Sequence, residues 1–299
     1  MAKNKRNMRV TGTCKLCNNE SILQKSHIVP SFIGKWLKNT SITPYFRHSD
    51  SIEKRSQNLI KDYWLCRKCE DLFQDWERGF ASNAFHPFSG QRVDTISYQD
   101  WMSKFCASIS WRTLSYLRNK DLEGSETEEY LQEIRSTEET LASYLLGNAE
   151  GIGSHKQYLI PLGLVSQDKG QQLPRNINQY FSRGIGLNIF QDSNERFIYT
   201  KIPHFIILYS FFSTSKDFMS TYKVGFQEGE VRVGSQELPD GLTGAIFSEC
   251  KRQDELYGRI QPYYRNKTKE YIRNNPDRVV KSKLFESMMI DYLFNSKDR

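Results

Sequence analysis

Two short cysteine motifs decide how the first part of this chain folds: Cys14-Lys15-Leu16-Cys17 and Cys66-Arg67-Lys68-Cys69. Each is a CxxC motif, whose tight turn brings two thiolates to one metal ion. Two such pairs supply the four sulfur ligands of a closed tetrahedral site, which leaves no position for substrate or water. The sequence therefore predicts one structural Zn²⁺ ion bound by Cys14, Cys17, Cys66 and Cys69.

Two other interpretations of the four cysteines stay open, namely independent buried thiols and a redox-active dithiol. Cys106 and Cys250 belong to no motif, so we expect them in the core. Six cysteines in 299 residues are too few for a disulfide scaffold, and CxxC pairs indicate metal in a reducing compartment. The basic start MAKNKRNMRV has no apolar signal-peptide segment, and no apolar run reaches the ~18 residues of a membrane span. We therefore expect a cytoplasmic protein with no membrane partner.

Hydrophobic periodicity divides the rest of the chain. Leu72, Phe73, Trp76 and Phe80 recur at helical spacing directly after the second cysteine pair, which predicts a helix there. Two further helices are expected over about 100–118 and 126–146, the second with Ser125 and Glu128 as a capping box and Gly147 at its end.

Strand patterns begin at about residue 158. A hairpin is expected from IGLNIF and ERFIYTKI, and the apolar run HFIILYSFF is typical of a central strand. We therefore expect an α+β protein with three segments: a zinc-binding module over 1–90, a helical segment over 91–150, and a mixed α+β C-terminal domain over 151–299.

The charge balance favours a polyanionic partner. Lys and Arg number 42 against 35 Asp and Glu, a net charge of +7, which suits nucleic acid. The alternative is an ordinary soluble protein with a mildly basic surface. Two basic stretches are candidates for phosphate contacts, the arm with Lys3, Lys5, Arg6 and Arg9 and the tyrosine-rich run 263–273, although the second is also typical of a solvated helix face.

Between the cysteine pairs lies Ser26-His27-Ile28-Val29-Pro30. The order CKLC, SHIVP and WLCRKCE over about residues 10–85 resembles the HNH (ββα-metal) endonuclease family. Members of that family carry a CxxC pair, a strand with [D/H]HI[V/I]P, an Asn, and LCxxC[H] leading into a helix. The resemblance implies that the N-terminal segment is a zinc-bound ββα-metal module that hydrolyses phosphodiester bonds with a divalent cation, Mg²⁺ or Mn²⁺.

The resemblance also implies roles for single residues. His27 matches the general base, and imidazole titrates near neutral pH. Glu70 stands where the family has a metal-binding His, and a carboxylate is a good ligand for Mg²⁺ or Mn²⁺. Ser26 departs from the family, which has a metal-binding Asp or His before the base. Asn58 is an approximate match to the central Asn, with Asp62 nearer the usual spacing.

The alternatives for the two main candidates are structural. His27 would then be a buried histidine bonded to a backbone carbonyl, and Glu70 a first-turn carboxylate that favours the helix N-terminus. Glu77, two turns beyond Glu70 on the same helical face, is a further candidate ligand.

These observations together predict a metal-dependent HNH-type endonuclease. DNA is the default substrate and RNA stays open. The resemblance further implies a bacterial effector of antiviral defence or restriction, with a C-terminal domain that recognises a protein partner, a substrate or a trigger, and a homodimer is compatible with it. The alternative is a catalytically inactive zinc-dependent subunit that binds nucleic acid or another protein in a larger complex.

Overall fold

The structure is a computed structural model that describes residues 9–120, 127–165, 173–214, 219–234 and 237–296. It has the expected mixture of helices and strands. The strands are β1 (Val10–Thr13), β2 (Glu20–His27), β3 (Lys61–Cys66), β4 (Thr95–Tyr98), β5 (Lys156–Pro161), β6 (Gly186–Gln191), β7 (Glu195–Ile202), β8 (Phe205–Ser213) and β9 (Gly229–Arg232). The α-helices are α1 (Ser31–Thr40), α2 (Arg67–Phe80), α3 (His86–Ser89), α4 (Asp100–Arg118), α5 (Glu128–Leu146), α6 (Ile177–Arg183), α7 (Asp240–Gly258), α8 (Pro262–Asn274), α9 (Pro276–Val280) and α10 (Lys283–Ser296). None of the helices in the described ranges combines the length and the apolar character that crossing a bilayer requires.

The N-terminal sheet is antiparallel in the order β1-β2-β3. The turn with the first cysteine pair joins β1 to β2, and β3 passes directly into α2 at the second pair. Helix α1 and the segment 41–60 are inserted between β2 and β3. This insertion accounts for the long separation of the two cysteine pairs. Within it, an isolated antiparallel bridge between Phe46 and Ser56 forms a short hairpin.

The second sheet has the antiparallel order β5-β8-β7-β6. Strand β8 lies inside it, as its uninterrupted apolar run predicts, and almost all of its residues are buried. The expected hairpin is β6–β7, whose turn is tightened by the amides of Asn194 and Glu195, both of which donate to Asp192 Oδ1. The short pair β4–β9 forms a separate ribbon.

Helix α4 lies at the centre of the molecule. It packs against α2, against α5 and against the second sheet, and thirteen of its residues are buried. Its bounds agree with the sequence pattern. Helix α5 begins after Thr127, whose side chain accepts the Tyr130 amide at 3.3 Å, while Ser125 lies outside the described residues. Gly147 ends α5 in the left-handed region, with φ 78°.

The three segments expected from the sequence meet in shared hydrophobic clusters. Trp64 of the first segment, Trp111 of the second and Tyr209 of the third belong to one cluster. A second cluster likewise joins Ile33, Phe105 and Phe205. Because these clusters cross both expected boundaries, the division of the chain at residues 90 and 150 stays a prediction.

The C-terminal end of the inserted helix α1 is held by two arginines from distant elements. The last carbonyls of a helix lack intrahelical partners. Arg183 Nη2 donates to Leu37 O at 2.7 Å, and Arg278 Nη2 donates to Lys38 O at 2.7 Å. Their positive charges also suit the negative end of the helix dipole. The insertion is thus fixed to α6 and α9.

Candidate functional site

The four cysteines of the CxxC pairs converge on one point. Their Sγ atoms all lie within 4.8 Å of one another, and Cys17 Sγ is 3.9 Å from Cys66 Sγ. Sulfurs bound tetrahedrally at a Zn–S distance of ~2.3 Å would be roughly 3.8 Å apart, whereas a disulfide would need about 2.05 Å. All four thiols are free. The group could therefore hold one metal ion, and no other group of three or more His, Cys, Asp or Glu with this property occurs among the described residues.

Local backbone geometry prepares each pair. In the first turn, the Asn18 amide donates to Cys14 O at 2.8 Å, and Asn18 has φ 57°, a left-handed conformation that Asn tolerates. Cys66 is the last residue of β3, and Cys69 lies in the first turn of α2. The two pairs also contact each other, because the Cys66 amide donates to Cys14 Sγ at 3.2 Å.

The surroundings of Cys14 favour the thiolate form of its side chain. The hydrogen bond from the Cys69 thiol, followed by those of backbone N–H groups, lowers the pKa of Cys14, although burial opposes this shift. Metal ions bind thiolate rather than thiol. The donor set, its spacing and its hydrogen bonds thus all fit a metal ligated by four sulfurs.

A second constellation lies at the other end of β2. His27 is the last residue of this strand, half-buried, and pairs in register with Lys61, the first residue of β3. A β-bulge between Gln24 and Lys25 shifts the register just before it, and bulges re-aim the side chains that follow. The preceding residue, Ser26, is only 2% exposed.

The structure brings Ser26 together with Glu70. Ser26 Oγ donates to Glu70 Oε2 at 2.5 Å. Glu70 comes directly after Cys69, in the first turn of α2, and Ser26 comes directly before His27. The contact therefore joins the start of α2 to the end of β2. A half-buried carboxylate consequently lies beside the end of β2, and no ion pair engages it within the described ranges.

The electrostatic environment of His27 is mainly cationic. Burial lowers its pKa first, and the positive charges of Lys61, Arg112 and Lys35 lower it further. Glu70 acts in the opposite direction. The neutral imidazole is therefore favoured at neutral pH, which is the form that can accept a proton.

Glu77 is engaged elsewhere. Its Oε1 accepts a hydrogen bond of 2.7 Å from Arg112 Nη1 in an ion pair whose side chains are 16% and 3% exposed. Burial raises the pKa of Glu77, while Arg112 opposes that shift. Because Arg112 pairs with the Glu77 carboxylate, Glu70 is the carboxylate of α2 to which the described part of the chain offers a hydroxyl group and no cation.

Asn58 and Asp62 are not brought into contact with His27 or Glu70 by any hydrogen bond among the described residues. Asn58 is exposed, and its carbonyl accepts from Ser56 Oγ and pairs with the His48 ring. Asp62 is the register partner of Ser26 and accepts the Tyr63 amide through Oδ1. The catalytic role of Asn58 stays a prediction.

Three basic residues that act on His27 were not predicted from the sequence: Arg112, which donates to its carbonyl, and Lys61 and Lys35, whose charges lower its pKa. The signal for Arg112 is its place in SISWRTLS, a stretch of α4 that is buried on all sides, because a buried arginine needs partners.

Of the two basic stretches, Lys3, Lys5 and Arg6 lie outside the described residues. Helix α8 carries the other, with no buried residue and with Lys267 Nζ 4.5 Å from the centre of the Tyr263 ring.

Comparison of the chain with protein-family models, with curated proteins and with solved structures found no match. The fold and site define its class in coarse terms: a mixed α+β protein with a four-cysteine group able to hold a metal ion.

We expect the purified chain to contain one tightly bound metal ion, measured by elemental analysis. Cys69→Ala should lose most of this metal and unfold at lower temperature, because three sulfurs leave the site open and metal binding is coupled to folding. Cys106→Ala is the matched control, since Cys106 is a buried thiol outside the group. Full metal content in the Cys69 variant would contradict the assignment.

Proposed function

We propose that this chain is a metal-dependent endonuclease of the HNH type that hydrolyses phosphodiester bonds of nucleic acid, DNA by default. The observation that carries the proposal is the contact between Ser26 Oγ and Glu70 Oε2. It sets a carboxylate beside the strand end that bears His27, and these are the two positions to which the family resemblance assigns the metal ligand and the general base.

The two metal sites have different roles in this proposal. The four cysteines hold Zn²⁺, whose closed tetrahedral sulfur site is structural. This ion fastens the β1–β2 turn to the junction of β3 and α2. Glu70 is the protein ligand of a divalent cation, Mg²⁺ or Mn²⁺, which supplies stabilisation of the charge that develops on phosphate.

His27 acts as the general base. Its neutral imidazole accepts a proton from water, the water oxygen forms a bond to phosphorus, and the bond from phosphorus to the leaving oxygen breaks. The positive charges of Lys61 and Lys35 act on the imidazole and lower its pKa, and the same charges suit the negative charge of a phosphodiester. Asn58 is kept as a third candidate by resemblance alone.

The wider setting follows from the cysteines and from the same resemblance. The CxxC pairs indicate the reducing cytoplasm, and the resemblance implies a role in antiviral defence or restriction. The C-terminal domain is proposed to bind a protein partner, because α10 exposes apolar side chains, among them Tyr292 at 67% and Leu293 at 55%; exposed apolar groups of this kind suit protein contacts.

A catalytically inactive nucleic-acid-binding subunit is the second candidate. It is favoured by one observation: outside the four cysteines, no group of three or more His, Cys, Asp or Glu in the described ranges gathers its ligand atoms around one point. This candidate predicts salt-sensitive binding of oligonucleotides without cleavage.

The central experiment compares wild-type protein with His27→Ala on supercoiled plasmid and on single-stranded substrates, with Mg²⁺, Mn²⁺ or EDTA. We expect cleavage that requires added metal, and a loss of about 10²–10⁴-fold in His27→Ala, the usual contribution of a general base. His86→Ala is the control, because His86 is exposed and lies in the same segment. Undiminished cleavage by His27→Ala would exclude the assigned base, and metal-replete wild type that binds but never cleaves would favour the second candidate.

The pH profile of cleavage offers an independent test. A general base works when unprotonated, so the rate falls as pH drops through its pKa. Lys61 lowers the pKa of His27. Lys61→Gln should therefore raise this pKa and move the acid limb of kcat/KM to higher pH.

Lys251→Gln is the control for this profile, since Lys251 is exposed on α7. Its acid limb should coincide with that of the wild type. An acid limb that stays in place or moves to lower pH in Lys61→Gln would contradict the role of His27.

A further inference from the structure

Arg112 is a buried cation at the contact of three elements. It lies in α4, and its side chain is 3% exposed. Nε donates to Ser108 O and Nη2 donates to Ser108 Oγ, both at 3.3 Å. The guanidinium carbon lies 4.8 Å from the centre of the Phe73 ring. Because the guanidinium is planar and its donors form a fixed fork, these contacts leave the group in one orientation.

The remaining nitrogen of this fork reaches both other elements. Arg112 Nη1 donates to Glu77 Oε1 at 2.7 Å and to the main-chain oxygen of His27 at 3.3 Å. One nitrogen thus links α4 to the third turn of α2 and to the last residue of β2. This nitrogen donates to the backbone of His27 and not to its imidazole ring.

Net stabilisation is a weak explanation for such an ion pair. Removing two charges from water costs free energy that their attraction often only offsets, and apolar replacements of buried pairs are frequently neutral or stabilising. What the pair does supply is a fixed geometry. His27 ends its strand, and the chain leaves the sheet after the bond from the Ile28 amide to Ile60 O at 3.2 Å. A catalytic side chain has to be held within about 0.5 Å of its productive position.

We propose that Arg112 is a positioning residue, which holds the backbone of His27 against α2 and pairs with Glu77. Among the described residues, this pairing leaves Glu70 as the carboxylate of α2 that has no cationic partner and can ligate the divalent cation. The inference rests on the proposed role of His27. It assigns a function to the helical segment after the cysteine module: α4 completes the site from outside the stretch that resembles the HNH family.

The test uses Arg112→Met and Arg112→Lys in the full chain, with kcat and KM measured on an oligonucleotide substrate. Arg112→Met should lower kcat by roughly 10–100-fold with little change in KM, since a small misplacement of a reacting group costs about that much. Arg112→Lys should recover part of kcat, because Lys can reach Glu77 but cannot form the fork. Arg118→Met is the matched control: Arg118 lies on the same helix and is paired with Glu138 at 2.7 Å, and its kcat should stay that of the wild type.

Hydrogen exchange provides a readout that does not depend on cleavage. Peptides that cover 24–33 include the Ile28 amide, and they should exchange faster in Arg112→Met than in wild type or Arg118→Met. Peptides that cover 10–20 should not change. If Arg112→Met does not fold, the same comparison is made with Arg112→Lys and Glu77→Gln.

The outcomes separate the inference from the proposed function. Wild-type kcat in Arg112→Met, alongside an inactive His27→Ala, would overturn the inference and leave the function standing. If the wild type cleaves nothing, the proposed function fails, and exchange at 24–33 then decides whether Arg112 holds this strand end. Equal exchange of the 24–33 peptides in Arg112→Met and in wild type would overturn the positioning role of Arg112.

Discussion

The convergence of four cysteine sulfurs is the constraint on which the N-terminal part of this structure depends. Thiolates gathered within 4.8 Å repel one another unless a cation binds them. A metal ion bound by all four would join the turn between β1 and β2 to the junction of β3 and α2. The position of α2 against the sheet follows from that junction, and with it the position of Glu70, the residue after Cys69.

The same helix is fixed a second time, further along. Cys69 anchors its first turn, and Glu77 meets the buried guanidinium of Arg112 two turns later. Between these anchors Glu70 faces Ser26, and the backbone of His27 lies within reach of Arg112. The four cysteines thus lie at one end of the contact between β2 and α2, and the ion pair of Arg112 and Glu77 lies at the other end. The positive charges of Lys61 and Lys35 lower the pKa of His27 and Glu70 raises it, so the imidazole lies in a positive field of the kind that attracts anions.

Local patterns in the sequence predicted much of this arrangement. The four-cysteine group follows from motif spacing, and α4, the β6–β7 hairpin and the buried strand β8 follow from periodicity and turn residues, because each depends on neighbours close in sequence. The position of Glu70 beside the end of β2 was reached only through family resemblance. Arg112 could not be assigned, since its partners Glu77 and His27 are 35 and 85 residues away. The pairing of β4 with β9 was not predicted for the same reason, because it joins residues from distant parts of the chain.

The proposed function requires two metal ions with different roles, and anomalous diffraction can locate each ion separately. Crystals of the wild-type chain soaked in Mn²⁺ would be measured at the zinc and manganese absorption edges. We expect zinc among the four cysteine sulfurs and manganese bound to a Glu70 carboxylate oxygen, on the side of α2 that faces His27. Manganese that is absent from Glu70 while zinc fills the cysteine group would contradict the catalytic role proposed for Glu70 and leave the cysteine site as a purely structural centre.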